Sequence, residues 1–75
     1  MTRLFFDVVG TNNRAFDFHG RYFRDPQEGH EHAKLMSLDL SSMHKEGAQI
    51  EVRDVSGQRL FSVPIVQVEE LAPAA

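Results

Sequence analysis

The chain has 75 residues, a formal net charge of -3 and no cysteine, so it makes one domain without a disulfide framework or a thiolate metal site. Its few Lys and Arg residues do not cluster, which disfavours nucleic acid as a partner. No apolar run approaches the ~20 residues needed to span a bilayer. The start, Met1 to Asp7, lacks the apolar core and cleavage site of a signal peptide, so the default location is the cytoplasm.

In chain order, Arg3 to Val9 alternates Leu4, Phe6 and Val8 with Arg3, Phe5 and Asp7, the period of a half-buried strand. Gly10-Thr11-Asn12-Asn13 is a turn, and Ala15 to His19 is the returning strand, with Phe16 and Phe18 facing inward. A connector follows, still extended at Tyr22 and Phe23.

The stretch Asp25 to Gly47 predicts one amphipathic helix. Asp25 is the N-cap, Pro26 the first helical residue and Glu28 the capping-box acid. His44 and Lys45 suit the negative end, and Gly47 can close it in the left-handed conformation. Gly29, Ala33, Met36, Leu40 and Met43 form the buried stripe, small at its start so that the helix can approach a sheet closely.

Ala48 to Asp54 and Arg59 to Val68 are the last two strands, joined by a Ser56-Gly57 turn that sets Val52 opposite Phe61 and Ile50 opposite Val63. Pro64 implies an edge, a bulge or a fraying end. The whole predicts an α+β fold of order ββαββ, a four-stranded, mainly antiparallel sheet with one helix on one face. Residues 1–68 form the domain and 69–75 a flexible tail. The expected core is Leu4, Phe6, Val8, Phe16, Phe18, Ala33, Met36, Leu40, Met43, Ile50, Val52, Phe61, Val63 and Ile65.

The order of these features resembles a family of short bacterial proteins, of the rhizobial alphaproteobacterial type, known only as a domain of unknown function. The likeness runs over roughly the first 66 residues. It rests on the opening Leu4-Phe5-Phe6-Asp7-Val8, on Asp17-Phe18-His19-Gly20, and on Asp25 opening the helix. Gly29 and Ala33 at four-residue spacing, Val52-Arg53-Asp54-Val55-Ser56-Gly57, and the apolar strand Leu60 to Ile65 complete it. His19 stands where the family pattern has an acidic residue, and the helix is richer in His and Met than in Ala. The resemblance implies no activity, ligand or partner. Asp17 and Gly20 read as a turn acceptor and a positive-φ position.

Candidate chemistry is sparse. His30 and His32 project about 200° apart on a helix, so they do not share a metal ion, and they read as a solvated first turn. Asp7, Asp17, Glu51 and Arg53 share the outer sheet face with Arg3 and His19, the pattern of a cross-strand ion-pair network rather than an acid–base site. No nucleophile elbow, phosphate loop or Gly-rich fingerprint is present. The expectation is a protein that is not an enzyme, with no catalytic residues, no metal, no cofactor and no small-molecule ligand. Phe5, Leu35, Leu38, Leu60 and Val66 are apolar residues without a place in the monomer core, and they form the candidate interaction surface. The leading function is a protein–protein interaction module, binding a partner or itself as a homodimer. The alternative is a regulatory nucleic-acid-binding or antitoxin-like protein.

Overall fold

The computed structural model describes residues 1–40 and 47–65. Its strands are β1 (Thr2–Val9), β2 (Arg14–Ala15), β3 (Arg21–Phe23), β4 (Gln49–Arg53) and β5 (Arg59–Pro64), with the helix α1 (Pro26–Leu40) between β3 and β4. The sheet is antiparallel, in the order β2-β1-β4-β5, and β3 pairs with β1 on the side where β2 does. The fold is therefore α+β with one helix, but the expected four-stranded ββαββ order becomes five strands, because the second arm is split.

Two carboxylates split it. Pairing runs from Val9↔Arg14 to Val8↔Ala15 and resumes at Leu4↔Arg21, so the five residues 16–20 on one arm span the three residues 5–7 on the other. In the gap, the Phe6 N–H donates to Asp17 Oδ2 (3.1 Å) and the Asp17 N–H donates to Asp7 Oδ1 (2.9 Å). Side-chain oxygens thus take backbone donors that a continuous ladder would have used. Asp17 Oδ1 also accepts from the N–H groups of His19 (3.0 Å) and Gly20 (3.1 Å). Gly20 turns the chain back with φ +70°, where a Cβ would meet the Leu4 carbonyl oxygen at 2.9 Å. The turn-acceptor reading of Asp17 and the positive-φ reading of Gly20 hold, and together they correct the strand expected over Ala15 to His19. Phe16 and Phe18 leave the core with it, at 54% and 79% exposure.

The helix begins as its cap residues dictate. The Glu28 N–H donates to Asp25 Oδ1 (3.1 Å), and Glu28 Oε1 reaches back to the N–H of Arg24 (2.7 Å), one residue earlier than in the usual capping box. Gly29 and Ala33 are buried against the sheet, Met36 and Leu40 are half-buried, and Ser37 joins the buried face by donating to the Lys34 carbonyl (2.6 Å). Met43, His44 and Lys45 lie outside the described residues, while Gly47 has φ +94°.

The core is Leu4, Phe6, Ala33, Ala48, Ile50, Val52, Val63 and Ile65, with Val8, Phe23, Met36, Leu40, Leu60 and Phe61 packed on it. Val52 pairs with Phe61 and Ile50 with Val63, as the apolar alternation requires. The turn differs from the Ser56-Gly57 expectation. It spans Val55-Ser56-Gly57, closed by the Gly57 N–H on the Asp54 carbonyl (3.0 Å), with Gly57 at φ +91°. A bulge between Val52 and Arg53 absorbs the extra residue, which is why the register survives. The same bulge brings Leu60 against the core, whereas strict alternation had placed it on the outer face. Pro64 closes the edge strand β5 with its nitrogen towards the free edge, so no ladder bond is lost there and the Ile65 N–H still donates to the Ala48 carbonyl (3.0 Å). Residues 66–75, which include the expected tail, lie outside the described residues.

Candidate functional site

The outer sheet face holds the carboxylates and guanidiniums singled out by the sequence, and they are paired with one another. Asp7 is fully buried, and Arg53 Nε donates to its Oδ2 at 2.8 Å while Arg53 Nη2 also reaches the Asp17 carbonyl at 2.9 Å. Arg14 donates to Glu51 Oε1 (2.9 Å) and Arg59 to Glu51 Oε2 (3.4 Å). The Arg14 bond, followed by the field of Arg14 and Arg59, outweighs burial and holds the Glu51 carboxyl below its ordinary value of 4.5. Burial pushes Asp17 upward, but the backbone donors of Gly20, Phe6 and His19 together bring it below 3.8. Such groups are already committed to hydrogen bonds, an arrangement that fastens the second arm to β1 and β4. Phe5 is sandwiched in the same layer, with the guanidiniums of Arg3 and Arg53 at 5.0 and 4.7 Å from its ring centre.

Of the five residues expected to form one surface, the four that are described lie apart. Phe5 is half-buried on the outer face, Leu60 packs on the core, and Val66 lies outside the described residues. Leu35 and Leu38 sit on the far side of the sheet, on α1, at 63% and 54% exposure.

The histidines also move from their expected setting. His30 stacks face to face on Phe61, with centroids 4.4 Å apart. His32 lies on the opposite flank of α1, against the edges of Phe6 and Phe23 and within 3.4 Å of an Arg21 nitrogen. Neither ring is solvated as a free first turn would leave it. No group of three or more His, Asp or Glu residues among those described is arranged to hold a metal ion.

His32 marks the feature that sequence reading missed. The helix packs on β1, β4 and β5 and reaches β3 at Phe23, which lies against His32, while among the described residues no helix covers the inner side of β2. A groove results, in two lobes that share His32. One, of about 510 Å³, is walled by Met1, Tyr22, Phe23 and Arg24 on the strand side and by Glu28, Glu31 and Leu35 on the helix. The other, of about 430 Å³, runs between Met36 on the helix and Val8, Ala15, Phe16 and Arg21 on the sheet. Tyr22 is 62% exposed and Met1 86%. The signal available in the sequence was the Asp17-Gly20 pair, since a turn acceptor inside a strand implies that the strand breaks there.

Burial among the Phe rings, followed by the charge of Arg21, pushes the His32 imidazole below its ordinary 6.5. The unfolded chain therefore binds a proton at His32 before the folded chain does. Stability contributed by this neutral ring is complete above pH 6.5 and is lost as the pH falls below that value towards the lower folded pKa. Urea midpoints should drop as the pH falls through and below 6.5, and His32→Gln should flatten that part of the profile. The carboxylate losses from Asp17 and Glu51 begin lower, below 3.8 and 4.5, so the two effects separate on the pH axis.

Residues 3–66 match a protein family described as Domain of unknown function (DUF6894). The chain belongs to this family. The DUF6894 match runs from Arg3 in β1 through β5, so the fastened second arm, the helix and all of the groove except Met1 lie within it. No curated protein and no solved structure gives a significant match. Membership thus carries no activity and no functional residue to this chain. No helix among the described residues is long and apolar enough to cross a membrane.

Proposed function

We propose that this DUF6894 protein is a non-enzymatic protein–protein interaction module of a bacterial cytoplasm, of the rhizobial type that the resemblance implies. The groove between α1 and the β2–β3 edge is its contact surface. The observation that carries this reading is the apolar and aromatic exposure along that groove, at Met1, Phe16, Tyr22 and Leu35. Met, Phe, Tyr and Arg are the residue types that concentrate at interface cores. Phe16 and Phe18 stand on a loop braced by Asp17, so their placement carries little entropy loss on binding. The committed state of Asp7, Asp17 and Glu51 supports a scaffold role over acid–base chemistry. The nucleic-acid or antitoxin-like alternative draws on the outer face, where Arg3 and Arg53 flank Phe5. There Arg14, Arg53 and Arg59 are paired with Asp7 and Glu51 and Arg3 is bonded to the His19 carbonyl, so these guanidiniums are engaged within the chain rather than gathered for phosphates.

The test is a photocrosslinking residue at Leu35 in the groove, with Val55 in the exposed turn as control, in cells that make the protein. The expected result is one discrete adduct from the groove position and none from the turn. Absence of any groove-dependent adduct would refute the reading.

A further inference from the structure

We infer that the occupant of this groove is a second copy of the same chain, placed about a two-fold axis that runs along the groove. The inference rests on the interaction reading above and names its partner. Three observations carry it. In the larger lobe the walls differ in charge: Arg24 stands on the strand side and Glu28 and Glu31 on the helix side, where Glu31 also meets Lys34 at 3.3 Å, while Arg21 lines the smaller lobe beside Asp17. A two-fold axis along the groove exchanges the walls without exchanging its ends, so the basic wall of each copy meets the acidic wall of the other. Such a contact is isologous and closes on itself, with each pair made twice. Arg24 has no acidic side chain paired with it among the described residues, so its charge is available for the contact. Met1 and Tyr22 on the strand wall and Leu35 on the helix wall are mostly exposed in one copy and are covered by the same residues of the other.

The arrangement also answers a size problem. A chain of 75 residues buries only about 60% of its unfolded surface, and association through an apolar groove adds burial that the monomer lacks. The edge strands are not the contact. β2 and β3 are two and three residues long and interrupted by the Asp17 loop, which makes them poor templates for strand addition.

Sedimentation equilibrium on the full chain decides the matter through charge reversal. Arg24→Glu and Glu31→Lys change exposed side chains, and thermal melts confirm that each variant folds. Each single variant sets like charges against each other twice per dimer and should weaken self-association about tenfold or more. An equimolar mixture of the two should dimerise like the unaltered protein. In the mixed dimer the two reversed side chains face each other with opposite charge, while the native Arg24–Glu31 contact forms at the second position. A chain carrying both substitutions should dimerise as well. A monomeric unaltered protein at every concentration, or a mixture no stronger than the single variants, overturns the second-copy assignment. The Leu35 adduct separates this from failure of the interaction reading. Twice the chain mass supports the second copy, and any other mass keeps the interaction reading but rejects the second copy.

Discussion

Asp7→Ala should destabilise the fold by about 2–4 kcal/mol, because it removes the fully buried partner of a half-buried Arg53 and leaves the Asp17 N–H without its acceptor. Asp7 has no exposed surface, and its two oxygens receive Arg53 Nε at 2.8 Å and the Asp17 N–H at 2.9 Å. Arg53 also holds the Asp17 carbonyl, so the loss propagates along the second arm. A domain of this size has a total stability on the order of 4–11 kcal/mol, so the variant should be largely unfolded in mild urea. The groove should go with it, because the arm forms one wall. Asp7→Leu combined with Arg53→Met should recover much of the loss, since apolar replacement of both partners avoids an uncompensated charge. Urea titrations followed by circular dichroism check this. An Asp7→Ala midpoint within experimental error of the parent would mean that the carboxylate does not fasten the arm.

Gly29→Ala should destabilise by about 1–3 kcal/mol through overpacking, although helix propensity alone favours Ala there by roughly 1 kcal/mol. A Cβ at Gly29 would collide with Leu4 Cδ1 and lie 3.6 Å from Leu4 Cγ and 3.7 Å from Phe23 Cδ2. Leu4 is fully buried in the core, so its Cδ1 yields only by displacing packed neighbours. The sign of the measured change therefore separates packing from propensity. In a Leu4→Ala background the clash is gone, and Gly29→Ala should become neutral or stabilising, a coupling that a double-mutant cycle reads directly. A stabilising Gly29→Ala in the parent chain would show that helix and sheet are not in the close contact described.

Local chemistry and periodicity were enough to place β1, α1, β4 and β5. Alternation at Leu4, Phe6, Ile50, Val52 and Val63 names the inner face, and the Asp25–Glu28 cap with the Gly29–Ala33 stripe names the helix and its buried side. These signals are short-range, and each residue carries its own evidence. The second arm was legible only in part. Phe16 and Phe18 alternate as a strand should, and periodicity cannot say that the Phe6 N–H will go to the Asp17 carboxylate instead of a ladder carbonyl. That choice depends on Asp7, Asp17 and Arg53 meeting across 46 residues of separation between Asp7 and Arg53.

The groove follows from the same choice, which is why neither it nor the place of His32 could be read from residue spacing. Leu60 shows the rule in miniature: its face is set by a bulge in the pairing of β4 with β5, not by its parity along the strand. Pattern within a segment settles which elements form and which side is apolar. Where two acceptors compete for one donor across distant segments, only the assembled sheet decides, because the outcome is a difference between hydrogen-bond partners that are not neighbours in the chain.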